Sequence, residues 1–271
     1  MDTMSSMDWI DTGETVLRYE LSGYGERVLV LLHEMGGSLE SWEPVMSALR
    51  AQYRTLRLDM RGFGLSEKIR GEITAEQLAD DVAALLDALG LNAPVALLGC
   101  AVGAAVALTF AARHPNRTAL LAVSSPATGI APERRAAILE HIARFGRDGL
   151  RALEVESLES SYPVMFRERD PERFRTTRLR WLCNDPDSYA AIYRMLARLD
   201  MTDVLPRIKA PSLLIGCTED VVRPPAGVAA VAARIPGAQF VTASSGHFLA
   251  AHNPQGLLDL LLPFLTEWPT E

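Results

Sequence analysis

Short apolar runs alternate with helix-like stretches along most of this chain. Six runs have the length and composition of strands: RVLVLLHE (27–34), PVALLG (94–99), TALLAVSS (118–125), PSLLIGCTED (211–220), AQFVTAS (238–244), and YRTLRLDM (53–60), in which apolar and polar residues alternate. Helix-like stretches lie between them, at 74–90, after Gly99, near 226–234 and after Pro254. Almost wholly apolar strands are typical of sheets buried on both faces. The pattern therefore predicts an α/β fold, with a mainly parallel central sheet covered by helices on both faces.

The stretch TAEQLADDVAALLDALG (74–90) gives the clearest helix prediction. Thr74 and Gln77 have the spacing of a capping box, in which each side chain accepts a hydrogen bond from the other residue's backbone. Apolar residues then recur at helical spacing, and Gly90 is suited to end the helix.

The alternation of strands and helices is interrupted in the second half of the chain. Residues from about 128 to 200 are rich in Arg and Glu and show helical periodicity without a clear buried strand. The interruption predicts a helical cap at 128–200, inserted into a core made of residues 1–127 and 201–271.

Composition and charge narrow the function further. The chain has 271 residues and a net charge of −7, which argues against a nucleic-acid partner. No stretch of about 18 uncharged apolar residues occurs, so no membrane span is expected. Three cysteines without paired spacing fit a reducing compartment. We therefore expect a cytoplasmic protein whose partner is a small molecule; the sequence does not indicate its oligomeric state.

The stretch LLGCAVGAAVAL (97–108) contains the central functional motif. One large class of hydrolases places a nucleophilic serine at a tight strand-to-helix turn, in the pattern G-x-S-x-G. Here the central residue is Ala101, flanked two residues away by Gly99 and Gly103, as a tight turn requires. Leu98 and Val102 would flank Cys100 in the same way and are too bulky, so Cys100 is not the expected nucleophile.

Two further residues follow predicted strands in the right order for a catalytic triad. Asp220 follows the strand in PSLLIGCTED, and His247 lies in SSGHFLAAHNP after the last strand. Both positions are at strand carboxyl ends, where open parallel sheets bind ligands. The backbone N–H groups of Met35, in LLHEMGGS, and of Val102 have the positions of oxyanion-hole donors. A glycine is usual where this chain has Glu34, which either turns to solvent or selects substrate charge.

Together these motifs resemble the α/β-hydrolase superfamily over nearly the whole chain, and most closely its 3-oxoadipate enol-lactonase-like branch. The similar stretches include RLDMRGFGLSE, NDPDSYAAIYRMLARLDMTDVLPRIKAPSLLIGCTEDVVRPP, IPGAQFV and SGHFLAAHNP. The resemblance implies a Ser-His-Asp hydrolase of a small ester, lactone or related carboxylic-acid derivative. Some relatives use an acid after the preceding strand, where this chain has Ser124 and Ser125, so Asp220 is the expected acid.

Ala101 leaves more than one hypothesis open. The alanine either replaces a serine deliberately, to trap a bound molecule, or is natural. In the second case His247 and Asp220 would activate water or move a proton without a covalent intermediate. A third hypothesis, from another class, is a non-catalytic receptor that binds a small molecule under the cap.

The predicted cap offers substrate-binding candidates. Trp181, with Phe166, Tyr189 and Tyr193, would form an apolar wall, and Arg180 or Arg178 would meet a substrate carboxylate. No metal site is expected, because HEMGG has Gly37 where a zinc motif needs its second histidine. No organic cofactor is expected either, since no phosphate-binding loop or dinucleotide fingerprint occurs.

Overall fold

The fold is built on one eight-stranded, mostly parallel sheet, seen in a computed structural model that describes residues 6–268. The strands are β1 (Ser6–Asp11), β2 (Val16–Ser22), β3 (Val28–Leu32), β4 (Arg54–Leu58), β5 (Val95–Cys100), β6 (Thr118–Ser124), β7 (Ser212–Cys217) and β8 (Gln239–Ala243). Their order across the sheet is β1-β2-β4-β3-β5-β6-β7-β8. The pairs β1–β2 and β2–β4 are antiparallel, and every other pair of neighbouring strands is parallel. The predicted fold class is confirmed.

Helices cover the sheet on both faces. The helices in the described residues are α1 (Glu43–Arg50), α2 (Ala75–Ala88), α3 (Val102–Arg113), α4 (Arg135–Ala152), α5 (Glu154–Ser161), α6 (Val164–Arg169), α7 (Pro171–Leu182), α8 (Pro186–Arg198), α9 (Pro225–Ala232), α10 (Leu249–His252) and α11 (Pro254–Leu265), of which α2, α3 and α9 pack on one face and α1, α10 and α11 on the other. Of these described helices, none has the length and apolar character that crossing a bilayer requires.

The hydrophobic core around the sheet consists of two clusters, one on each face of the sheet, and successive side chains of a buried strand enter them in turn. On β3, Val28, Val30 and Leu32 pack in a cluster with α2, α3 and α9, whereas Leu29 and Leu31 pack in a second cluster with α1 and α11. Successive side chains of a strand point to opposite faces, so a strand covered on both faces must be apolar throughout.

The segment between β6 and β7 contains helices α4 to α8, and no strand occurs among its described residues. The division of the chain into a core and a cap at 128 and 200 stays a prediction. Before residue 27, where the sequence pattern predicts no element, the structure has the β1–β2 hairpin. Helix α1, between β3 and β4, is also absent from the prediction.

Candidate active site

The strand-to-helix turn at Ala101 has the strained geometry of a nucleophile elbow. Ala101 lies between β5 and α3 with φ 52° and ψ −111°, a region that residues with a Cβ rarely adopt. A Cβ on Gly99 would lie 2.6 Å from the Gly103 carbonyl oxygen, and one on Gly103 would lie 2.1 Å from that of Leu32. Both glycines are therefore required by the close packing of backbone around the turn.

His247 and Asp220 form a buried hydrogen-bonded pair. His247 Nδ1 lies 2.8 Å from Asp220 Oδ2. Asp220 Oδ1 accepts backbone N–H bonds from Val222 at 2.8 Å and from Arg223 at 2.9 Å. Burial, the largest single influence, opposes the charged carboxylate, but the hydrogen bond and charge of His247 and the other hydrogen bonds to the carboxylate together outweigh it, so the pKa of Asp220 is lowered. An ionised Asp220 accepts a hydrogen bond from the protonated Nδ1, which leaves Nε2 of His247 as the basic nitrogen.

One cavity of about 830 Å³ unites most of the predicted site residues. Ala101, Val102, Met35, His247 and Trp181 all line it. The strand carboxyl ends converge here, so residues distant in sequence reach one space.

The loop after β3 and the first residue of α3 each present one free backbone donor near the elbow. Among the residues that the structure describes, no hydrogen-bond acceptor is found for the N–H groups of Met35 and Val102. His33 braces this loop, because its Nε2 accepts from Met60 N–H at 3.1 Å and its Nδ1 then donates to the Glu34 carbonyl at 2.7 Å. Burial lowers the pKa of His33, which keeps the ring neutral in this bridge.

Trp181 closes the cavity over that loop. Its Nε1 donates to the Tyr189 hydroxyl at 2.9 Å, and a Cβ on Gly36 would lie 2.5 Å from its Cδ1. Asn184, just after α7, donates to the Gly36 carbonyl at 2.9 Å. Helix α7 is thus joined directly to the loop that carries Met35.

Glu34 and Arg180 do not reach the cavity that contains Ala101. They line a separate cavity of about 370 Å³, together with Cys100. Glu34 is buried rather than turned to solvent, and its Oε1 accepts from Ser41 Oγ at 2.7 Å, while Arg180 Nη1 donates to the same hydroxyl at 3.2 Å. The role of Glu34 and Arg180 in substrate binding stays a prediction, and their position outside the cavity of Ala101 does not support it.

The other candidate residues lie either on the wall of the large cavity or in contacts away from it. Tyr189 and Tyr193 line the large cavity as expected. Phe166 does not; its ring stacks on His252 with centroids 4.4 Å apart. Arg178 pairs with Glu154. Burial raises the pKa of the Cys100 thiol well above its ordinary value, which opposes a nucleophilic role.

Sequence reasoning did not single out Arg223 and Arg134, which also line the large cavity. A signal for Arg223 exists in the stretch GCTEDVVRPP, where it follows Asp220 by three residues on the same loop. In residues 6–268 no group of three or more His, Cys, Asp or Glu side chains is placed to hold a metal ion.

The sequence matches a known protein family and is similar to known proteins over most of its length. The family model described as serine aminopeptidase, S33 matches residues 25–246. The pyrrolizixenacetamide deacetylase of Xenorhabdus hominickii is 25% identical over 269 residues, covering 96% of this chain and 98% of that protein. The pimeloyl-[acyl-carrier protein] methyl ester esterase of Aeromonas hydrophila is 29% identical, covering 88% of this chain and 94% of that protein.

Two solved structures are similar throughout. The enol-lactonase from Burkholderia xenovorans LB400 superposes with a TM-score of 0.90 at 28% identity, covering 96% of this chain and all of that one. A thermophilic esterase from Thermogutta terrifontis, solved with malate bound, superposes with a TM-score of 0.89 at 28% identity, and both chains are covered completely.

Proposed function

Because the chain belongs to the serine aminopeptidase S33 family of the α/β-hydrolase superfamily, we propose that its site acts on the acyl bond of a small ester, lactone or related carboxylic-acid derivative. The observation that carries the proposal is the pair His247–Asp220, 2.8 Å apart, with His247 facing the cavity that Ala101 lines. The deacetylase, the esterase and the enol-lactonase to which it is similar support the same class of bond.

Each residue has a role in the proposed hydrolytic step. His247 Nε2 takes a proton from the attacking hydroxyl, and Asp220 stabilises the imidazolium that results. The attacking oxygen bonds to the substrate carbonyl carbon, and the N–H groups of Met35 and Val102 receive the negative charge on the carbonyl oxygen. Collapse then breaks the acyl bond, and the leaving oxygen or nitrogen takes the proton from His247.

Ala101 determines which hydroxyl attacks. The alanine has no nucleophilic atom, so in this chain the attacking group is water and no acyl-enzyme forms. The positive φ at Ala101 favours a site built for serine, because a position that carried no reacting group would more easily be glycine. We propose that a serine at this position gives the efficient form of the enzyme.

We also propose that residues 128–200 act as a cap over the site. Helices α4, α5, α7 and α8 all contribute side chains to the large cavity, among them Ile138, Ser157, Trp181 and Tyr193. Such a cover excludes bulk water from the reacting atoms and selects substrates by shape.

The test is Ala101→Ser, assayed with an activated ester and an enol lactone. We expect turnover to rise by about three orders of magnitude or more, on the scale of removing a triad nucleophile. Ala137→Ser is the matched control, because it places the same hydroxyl in the same cavity on helix α4, away from the elbow. It should give no gain, and Ala101→Ser combined with His247→Ala should lose it. Equal rates for the unaltered chain and the Ala101→Ser variant would contradict the proposal and favour a binding function.

A further inference from the structure

Arg223 places a guanidinium group on the wall of the active-site cavity. Its backbone N–H donates to Asp220 Oδ1 at 2.9 Å, while the other oxygen of that carboxylate holds His247. Its side chain lines the same cavity as His247 and Ala101. The arginine and the histidine are therefore held by one carboxylate, which fixes the loop that carries Arg223 relative to the base.

Among the described residues, the guanidinium of Arg223 has no ion-pair partner. Of the carboxylates in residues 6–268, none lies within 4.0 Å of its guanidinium nitrogens. Its only polar side-chain contacts there are the carbonyl oxygens of Val222 at 3.4 Å and Gly129 at 3.5 Å, at the outer limit of hydrogen bonding. Burial lowers the pKa of Arg223, although arginine stays charged at neutral pH. A partly buried cation without a partner is unusual, because desolvation is normally offset by pairing.

The surrounding groups leave this part of the cavity favourable for an anion. Arg134 adds a second cation to the wall, and Tyr193 adds a phenol whose pKa is raised by burial. Of the two glutamates that line the cavity, Glu156 already pairs with Arg144 at 3.0 Å, and Glu133 is exposed. Asp220 is already engaged by His247 and two backbone amides.

We propose that Arg223 binds a carboxylate group of the substrate, so that the substrate is a monoester or lactone derived from a dicarboxylic acid. The planar guanidinium donates two parallel N–H bonds to a carboxylate, which fixes orientation as well as charge. The cavity of about 830 Å³ accommodates an acyl chain of several carbons between this anchor and the reacting carbonyl. The identity of the reacting bond rests on the proposed function, but recognition of the carboxylate does not.

Binding is measured by calorimetry on the chain as it stands, since Ala101 prevents acyl-enzyme formation. The probes are the monomethyl esters of the straight-chain C4 to C8 dicarboxylic acids, each compared with its dimethyl ester. At the best chain length we expect the monoester to bind at least about tenfold more tightly, as a charge-assisted pair implies. Arg223→Gln should abolish this preference and leave dimethyl ester binding unchanged. Arg223→Lys should keep part of it, because the charge remains without the planar fork.

Two control variants separate this contact from general charge effects. Arg207→Gln makes the same charge change at an exposed position outside the cavity, and Arg134→Gln removes the neighbouring cavity cation. Both should retain most of the preference. A preference that is absent from the unaltered chain, survives in Arg223→Gln, or disappears in Arg134→Gln instead would overturn the proposal. If Arg223→Gln does not fold, an undiminished preference in Arg223→Lys overturns it in the same way.

The outcomes also separate this inference from the proposed function. A monoester preference that depends on Arg223, without a gain of turnover in Ala101→Ser, would remove the hydrolytic proposal and leave the carboxylate site. A gain of turnover in Ala101→Ser, without any monoester preference, would remove the carboxylate site and leave the hydrolytic proposal.

Discussion

At the scale of single residues, the elbow depends on the absence of side chains around Ala101. The turn passes so close to the end of β3 that Gly103 has the carbonyl oxygens of Leu32 and His33 within 2.5 Å of where its Cβ would lie. Those carbonyls belong to the segment that leads into the Met35 loop. The glycine thus determines how close the helix N-terminus lies to the loop that supplies the other oxyanion donor.

Gly103→Ala should therefore damage both stability and site geometry. The new Cβ would lie 2.1 Å from the Leu32 carbonyl oxygen, and backbone cannot move aside as a flexible side chain can. We expect a loss of at least about 1–3 kcal/mol in the free energy of unfolding, measured with urea. The gain of turnover in Ala101→Ser should also be lost when the two substitutions are combined.

Gly227→Ala is the matched control for this substitution. Gly227 lies in α9, and no heavy atom is within 4 Å of the position of its Cβ. Alanine is the better helix former, so this variant should gain about 0.5–1 kcal/mol. Equal effects of the two glycine substitutions would show that space around the elbow is not limiting.

At the scale of elements, local sequence signals determine where α2 begins and ends. Thr74 Oγ1 accepts from Gln77 N at 3.2 Å, and Gln77 Oε1 accepts from Thr74 N at 2.9 Å, which completes the predicted capping box. Gly90 follows the helix with φ 66°, a conformation that glycine adopts without strain. Neither signal needs a contact from elsewhere in the chain, which is why the sequence alone predicted both.

Thr74→Ala should destabilise the protein by about 1 kcal/mol, because the N–H of Gln77 loses its acceptor at the helix start. Ser47→Ala is the control, since Ser47 is an exposed residue inside α1 and alanine favours a helix interior. Urea unfolding of both variants should therefore show a loss for Thr74→Ala and no loss for Ser47→Ala. Equal changes would contradict the capping role.

At the scale of the whole molecule, buried histidines make stability depend on pH. His252 stacks on Phe166 with centroids 4.4 Å apart, and neither of its ring nitrogens has a partner among the described residues. Burial lowers the pKa of His252 from its ordinary value of 6.5 to about 3. Between these two values the unfolded chain binds a proton that the folded chain does not. Stability contributed by a neutral His252 is therefore complete above pH 6.5 and declines as the pH falls toward 3.

His252→Phe should remove this part of the pH dependence. At pH values under about 6.5, we expect the free energy of unfolding of the unaltered chain to decrease as the pH is lowered. His252 contributes at most about 1.4 kcal/mol to this decrease for each pH unit. Phenylalanine keeps the stacked ring and cannot bind a proton. The two unfolding curves should therefore run parallel above about pH 7 and diverge below about pH 6.5. Parallel curves down to about pH 4 would show that His252 is not the titrating group.

The sequence by itself determined the elements that are marked by a local motif or by a uniformly apolar run. Strands buried on both faces are apolar throughout, and the elbow needs glycines at fixed spacing, so β3, β5, β6, β7 and the turn at Ala101 were predicted correctly. The hairpin strand β2 was missed, because its buried residues include Arg18 and Glu20. These are accommodated by ion pairs, Arg57 with Glu20 at 2.6 Å and Arg18 with Glu40 at 2.7 Å, and such pairs join positions far apart in sequence.

Only the tertiary structure decided which side chains share the cavity with His247. The order of Ala101, Asp220 and His247 along the chain predicted their convergence, because parallel strands bring their carboxyl ends to one edge of the sheet. No comparable rule predicts where the side chains of helices α4 to α8 lie. Its packing places Trp181 over the Met35 loop and Arg180 in a separate cavity, while Arg223 reaches the cavity from the core. The orientation of a side chain on a helix or loop depends on contacts with distant elements, which no local pattern encodes.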